Sequence, residues 1–399
     1  MPEYTYLIVG GGMAAHATVD GIRKEDKDGS IGIVTAEEMI PYDRPPLSKD
    51  LWTSDEMEGR DVLSDVLKRD DVRVHVDTRI TTLDPEAKRL TDEDGVTYDY
   101  DKLLLATGSR PRRLPFDDGS YDIIYFRTLR DYYALRHQAE ENRRIGVIGG
   151  GFIGSELAYA LTEEGNQVAM FFPQAGVAAE VLPEAISQKV TDIYRAKGVQ
   201  VLEERLVTTV EYDNDDYIIV TDKADRVEAE VVVAGVGVIP NTALAEGAGL
   251  AVDDGIRVNE HLQTTNPDIY SAGDVTRFYS PTLDEWIRVE HEDNATTQGE
   301  MAGRNMAGAS EEYDYMPFFY SDMFDMGYEA VGKLDSDLNT TINWRDDEQT
   351  QAVVVYRDNE DVVRGVLMWN VFGELDSARD LLGKPISEAD IKQGEPLNT

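Results

Sequence analysis

The sequence predicts an α/β chain with two Rossmann-like dinucleotide-binding units and a smaller α+β unit at the C-terminal end. Two glycine-rich turns carry the first part of that expectation, Gly10-Gly11-Gly12-Met13-Ala14-Ala15 and Gly149-Gly150-Gly151-Phe152-Ile153-Gly154. Each follows an apolar run and precedes a stretch that can be helical. In such a turn the first glycine allows the tight bend, the second lets the backbone approach a pyrophosphate, and the third small residue lets helix pack on strand. The pyrophosphate then sits at a helix N-terminus. One match is a weak signal, because ordinary strand-to-helix turns look the same. Two in the right context point to a chain that passes electrons from a mobile carrier to a tightly held one. The second part rests on a change of periodicity past about Ser310, where alternating, aromatic-rich strands begin.

The first unit reads as strand Tyr6 to Val9, glycine turn, helix to about Lys24, and strand Ile31 to Thr35 leading to Glu37. An acid at that strand end is positioned to accept hydrogen bonds from ribose hydroxyls. Leu103 to Gly108 is a buried strand running into the small-residue turn Ala106-Thr107-Gly108, and Arg110-Pro111-Arg112 breaks the pattern. From Arg144 the pattern restarts: strand, glycine turn, helix Ser155 to Glu164, Gly165 as C-cap, strand Val168 to Phe172. It closes with Val231 to Gly237, a strand entering a glycine turn. The chain then returns to its first unit at Ile269 to Asp274, where Asp274 ends a buried strand and can bind a polyol through its carboxylate.

At 399 residues there is length for two or three cores, and 41% hydrophobic content is globular. Against 38 basic side chains stand 78 acidic ones, a formal charge of -40. The acids are spread through patterned segments, so a disordered acidic tail is not indicated. Sparse lysine and an excess of aspartate over glutamate fit a halophile whose cytosol is kept at molar salt. At about 1 M salt the Debye length is about 3 Å, so like charges repel weakly while carboxylates keep the surface hydrated. The start of the chain leaves no room for a signal peptide before the first strand, and no apolar run reaches membrane-spanning length, so a cytoplasmic protein without membrane contact is expected. The absence of cysteine excludes disulfides, thiolate metal sites and redox cysteine chemistry. No histidine pair has metal-ligand spacing, and no metal site is expected.

With Pro41-Tyr42-Asp43-Arg44-Pro45-Pro46-Leu47-Ser48-Lys49 the chain resembles the FAD-dependent pyridine nucleotide reductases of the ferredoxin reductase type, which include rubredoxin reductases and apoptosis-inducing factor. The apoptosis-inducing factor branch is matched by Gly150 to Glu156, Arg288-Val289-Glu290-His291, Asp325 to Ala330 and Val366 to Phe372. The resemblance implies the glutathione reductase type of fold: a discontinuous FAD domain at 1–118 and 253–310, an NADH domain at 119–252 and a C-terminal domain at 311–399. It implies non-covalent FAD with its pyrophosphate at Gly10, Gly12, Ala14 and Ala15, its ribose at Glu37 and its ribityl chain at Gly273 and Asp274. Arg44, Arg127, Ile80, Ala106, Thr107 and Gly108 are further expected FAD contacts. NADH is expected at Gly151, Phe152, Ile153, Gly154, Glu156, Gln174 and Gly237.

By the same resemblance Lys49 lies beside the reactive edge of the flavin, paired with Glu156. Charge arriving on the ring is stabilised by a fixed cation there, whereas the bland alternative is a structural ion pair. Phe152 is either a gate over the flavin or a helix-packing aromatic. Glu290 and His291 are expected between flavin and nicotinamide, and Tyr320 stands where the family usually has tryptophan. Gln174 is the larger departure: an NADH site would place an acid there and an NADPH site would gather arginines. NADH is the choice because no basic cluster stands nearby, with NADPH left open. Without cysteines the electrons go to an external acceptor, which is a ferredoxin, a rubredoxin, a quinone or oxygen. The rival function is a redox sensor whose NADH-reduced flavin complex controls association, as monomer or redox-dependent homodimer. The acidic surface argues against nucleic acid.

Overall fold

The computed structural model describes residues 2–54, 56–69, 71–139, 142–213 and 216–392. The chain forms two compact units: Met1–Arg44, Arg60–Arg110 and Ile239–Phe319 make the first, and Pro45–Gly59, Pro111–Val238 and Tyr320–Thr399 the second. The segment 45–59, which carries Ser48 and Lys49, therefore groups with the second glycine turn.

In the first unit the central sheet runs Val72–His75, Ile31–Val34, Glu3–Val9, Thr97–Leu105, Arg89–Asp92 and Ile80–Asp84, with Ile269–Ser271 also paired to Thr97–Leu105. The strands nearest the glycine turn are parallel, with Ile8 opposite both Ile33 and Leu104. Parallel strands covered on both faces read as continuous apolar runs, which is why Tyr6-Leu7-Ile8-Val9 lacks alternation. Its side chains nevertheless alternate in space. Tyr6 and Ile8 enter one core with Val19, Ile22 and Met306. Leu7 and Val9 enter the other with Leu103, Leu105 and Ile269. Helix Met13–Glu25 follows the turn as expected, and strand Ile31–Val34 ends one residue before Thr35.

The second unit repeats the device. Its parallel sheet runs Gln200–Leu202, Gln167–Phe171, Arg144–Ile148, Val231–Ala234 and Ile124–Tyr125. Helix Phe152–Glu163 begins three residues before the expected Ser155. Gly149 needs the left-handed region (φ +126°), but Phe152, Ile153 and Gly154 are already helical, with Gly151 as the extended N-cap. The C-terminal part is a five-stranded sheet in the order Phe318–Met323, Met326–Gly332, Val363–Trp369, Ala352–Arg357 and Asn339–Trp344. No helix among the described residues is long and apolar enough to cross a membrane.

Candidate functional site

The expected site residues fall into two sets, one in each compact unit. In the first, a Cβ on Gly10 would stand 2.0 Å from the Ala106 carbonyl oxygen, so turn and neighbouring strand end meet only because residue 10 is glycine. Helix Met13–Glu25 has no side-chain cap at Gly12 and no acid in its first turn, in a chain otherwise crowded with acids. Its free N–H groups suit an anion. Arg44 Nε lies 3.8 Å from where a Gly12 Cβ would stand. The Arg44 guanidinium donates to Glu37 Oε1 at 2.5 Å and to the Tyr42 hydroxyl at 3.0 Å, while the Tyr42 hydroxyl donates to Glu37 Oε2 at 2.5 Å. A carboxylate keeps further lone pairs for a ribose hydroxyl. Ile80 opens the strand beside this group, where Thr78 N–H donates to the Thr35 carbonyl at 2.8 Å.

Gly273 N–H donates to Oε1 of the fully buried Gln298 at 3.0 Å, and a Gly273 Cβ would stand 3.2 Å from Ala14 Cβ. Gln298 Nε2 is buried with no partner among the described residues, a donor left beside the expected ribityl-binding turn of Gly273 and Asp274. Thr107 and Asn241 exchange two hydrogen bonds of 2.8 Å, fixing the Ala106-Thr107-Gly108 turn. His291 lies flat on Phe319 with ring centroids 4.3 Å apart, and Glu290 pairs with Arg288 at 2.5 Å. These residues fit a dinucleotide at the first turn. Asn241, Gln298 and Phe319 escaped the sequence reading, since nothing local marks them, and Tyr42 was read as part of its motif but not as the partner of Glu37.

In the second unit, Gly149 has Gly235 O 2.2 Å from its would-be Cβ, whereas a Cβ on Gly151 would meet nothing within 4 Å. The helix again has no side-chain cap and no acid in its first turn. Ala14 in the first helix and Ile153 in the second occupy the same second position, Ala15 and Gly154 the same third, and Phe152 is half-buried. Gly237 takes φ +89° in the turn that follows strand Val231–Ala234, and Arg127 precedes the Thr128 cap of helix Leu129–Gln138.

Glu156, one turn into the helix, is the centre of this set. Ser48 Oγ donates to its Oε2 at 2.7 Å and Ser321 Oγ to its Oε1 at 2.8 Å. Lys49 Nζ stands 3.4 Å from Oε1, and the two side chains are 15% and 6% exposed. The same ammonium lies 4.1 Å from the centre of the Tyr320 ring, a cation–π contact that the smaller ring still provides. Burial pushes the Glu156 carboxyl above the ordinary carboxylate range, against the opposing pull of Lys49, Ser48 and Ser321. Lys49 is held in turn by its own segment, where Trp52 donates to the Leu47 carbonyl at 2.7 Å and packs edge-on against Tyr132. Tyr132 closes the anchor by donating to the Leu51 carbonyl at 3.0 Å. The result is a fixed cation beside a helix N-terminus that is open to an anion.

Gln174 lies apart from this cluster, past the end of strand Gln167–Phe171, and its Nε2 donates to Glu180 Oε1 at 2.6 Å. Glu180 was missed because its link to Gln174 arises from the fold of the intervening loop.

Residues 4–299 match the pyridine nucleotide-disulphide oxidoreductase family, and residues 302–351 match the C-terminal family of apoptosis-inducing factor, mitochondrion-associated. The chain is 37% identical to the ferredoxin–NAD(+) reductase component of an anthranilate 1,2-dioxygenase system from Burkholderia cepacia, over 84% of each chain. It is 32% identical to the mitochondrial apoptosis-inducing factor 1 of Dictyostelium discoideum, over 98% of this chain and 80% of that one. Among solved structures, the covalent putidaredoxin reductase–putidaredoxin complex has a TM-score of 0.90 at 30% identity, covering 99% of this chain and 97% of that one.

Proposed function

The chain belongs to the pyridine nucleotide-disulphide oxidoreductase family, and from that premise we propose an FAD-dependent NAD(P)H oxidoreductase that passes electrons to an external, ferredoxin-type acceptor. The observation that carries this reading is the buried Lys49–Glu156 pair, one helical turn beyond the second glycine turn. Bound FAD would supply the acceptor atom for a hydride from the nicotinamide and would hand the electrons on. Lys49 offers positive charge where negative charge develops, and needs no reorganisation because Glu156, Tyr320 and its own anchored segment hold it. Ser48 and Ser321 fix both oxygens of Glu156. Arg44, Glu37 and Asp274 are the groups that would orient FAD in the first unit, while Gly151 to Gly154 would take the NADH pyrophosphate in the second.

In spite of the family's name, this chain has no cysteine and so no disulphide of its own to reduce. The named relatives support a small iron–sulfur protein as the acceptor. We infer a molar-salt cytoplasm as the setting, a reading supported by the charge of -40, which also speaks against a nucleic-acid partner. The test is direct. Purified protein should be yellow, lose its visible flavin band on anaerobic mixing with NADH, and regain it on adding a ferredoxin from a high-salt source. A flavin that neither NADH nor NADPH bleaches would end the proposal.

The match of residues 302–351 and the near-complete coverage by the Dictyostelium relative support a second reading, a redox sensor. A reduced flavin that persists in air, together with a change of oligomeric state, would favour it. Rapid reoxidation by the ferredoxin with no such change favours the reductase.

A further inference from the structure

We propose that Glu180, oriented by Gln174, makes the second glycine turn prefer NADH over NADPH. The proposal rests on that turn being a pyridine dinucleotide site. An acid at the end of the second strand commonly receives the ribose 2′-hydroxyl, but here Gln167–Phe171 runs into Phe172-Pro173-Gln174 without one. The acid arrives six positions later along a loop that folds back. Gln174 Nε2 donates to Glu180 Oε1 at 2.6 Å. Only the NH2 end of an amide can donate to a carboxylate, so this bond fixes the amide and leaves its oxygen as a second acceptor.

The loop is tied to the glycine turn and to its surroundings. Ala178 N–H donates to the Gly150 carbonyl at 2.8 Å, Arg205 N–H to that of Phe172 at 3.0 Å, and Glu204 N–H to that of Gln174 at 2.9 Å. From the C-terminal part, Ser336 N–H donates to the Glu180 carbonyl at 3.0 Å and the Tyr356 hydroxyl to that of Val181 at 2.6 Å. The nearby cations are engaged elsewhere: Arg205 Nε donates to Asp225 Oδ2 at 2.6 Å, and Lys223 Nζ lies 3.6 Å from Glu204 Oε2. The edge is therefore rich in acceptors and negative. A 2′-hydroxyl can donate to the Glu180 carboxylate, whereas a 2′-phosphate sets more negative charge against it. A contact at hydrogen-bonding distance also survives salt, because the screening length at about 1 M is itself about 3 Å.

The experiment titrates ADP-ribose and 2′-phospho-ADP-ribose into the holoprotein by calorimetry at one fixed salt concentration, with flavin reduction by NADH and NADPH as a second readout. Wild type should bind ADP-ribose at least about tenfold more tightly, and Glu180→Gln should narrow that gap about tenfold by improving the phosphorylated ligand. Glu180 is exposed, so the variant should melt as wild type does. Equal affinities in wild type, or a gap that Glu180→Gln leaves unchanged within about twofold, would overturn the proposal while the dinucleotide site stands. Binding of neither ligand would overturn the reading of the turn, and this proposal with it.

Discussion

Glu156 is a carboxylate removed from water and held by one ammonium and two hydroxyls. Burial raises its pKa despite those partners, so the folded chain keeps the proton over a pH window in which the unfolded chain has released it. Stability therefore falls as pH rises through that window, which opens near the ordinary glutamate value. Lys49→Met removes the compensating charge and extends the window upward. The variant is expected to lose about 3–5 kcal/mol near about pH 8, and clearly less near about pH 5, where Glu156 can take a proton instead. Urea unfolding at fixed salt measures both. A deficit equal at the two pH values would contradict this role for Glu156. Lys49 and Glu156 were legible in the sequence because each sits inside a recognisable motif. Ser48 and Ser321 were not legible as partners of Glu156, since they reach it from 108 and 165 residues away.

At the scale of elements, the strands Phe318–Met323 and Met326–Gly332 and the two residues joining them decide where Ser321 and Tyr320 stand. The strand alternates, with Ser321 buried and Tyr320 and Asp322 exposed, so a slip of one residue would turn Ser321 away from Glu156. The turn holds Phe324 at φ +53°, a conformation that glycine adopts easily and an aromatic residue rarely does. The ring offsets the strain by packing edge-on against Tyr159 at 4.7 Å and Tyr194 at 5.0 Å, with the Lys197 ammonium 5.1 Å from its centre. Tyr159 shares the helix of Glu156, so the same contacts hold turn and helix together. Phe324→Ala keeps the strain and loses the ring, whereas Phe324→Gly loses both. The alanine variant is expected to be less stable than the glycine variant by about 1 kcal/mol, although glycine normally weakens a chain relative to alanine. Chemical denaturation of the pair would decide it, and an alanine variant of equal or greater stability would show that residue 324 carries no strain. The helix after the second glycine turn shows the matching lesson in sequence reading. Its start is expected at Ser155 because Phe152-Ile153-Gly154 read as part of the turn, while the backbone is already helical from Phe152.

For the whole molecule, charge outweighs every other consideration. With 78 acidic and 38 basic side chains, the folded chain repels itself in dilute buffer, and screening relieves that repulsion. Arginine is engaged in local pairs, as when Arg144 serves Asp216 and Glu228 at 2.6 and 2.8 Å and Arg304 serves Glu25 and Glu311. Pairs this exposed contribute little each, about 0–1 kcal/mol, so they do not replace salt. The melting temperature is expected to rise steadily between about 0.1 M and about 2 M potassium chloride, where the Debye length shrinks from about 10 Å to below about 3 Å. A melting temperature that is flat or falling over that range would show that the acidic surface is not an adaptation to salt.

By itself the sequence determined what depends on local chemistry: two glycine turns, the apolar runs that feed them, an acid at Glu37, the lysine of the Pro-Pro-Leu-Ser-Lys segment and the lack of any cysteine. These are legible because turn geometry, strand burial and residue type act over a few neighbouring positions. Only the tertiary structure decided that Gln298 leaves a buried donor beside Gly273, that Ser321 completes the hold on Glu156, and that Glu180 stands on Gln174. Those side chains meet through loops and strand registers that no local pattern encodes, so their roles emerge only once the backbone has brought distant segments within hydrogen-bond reach.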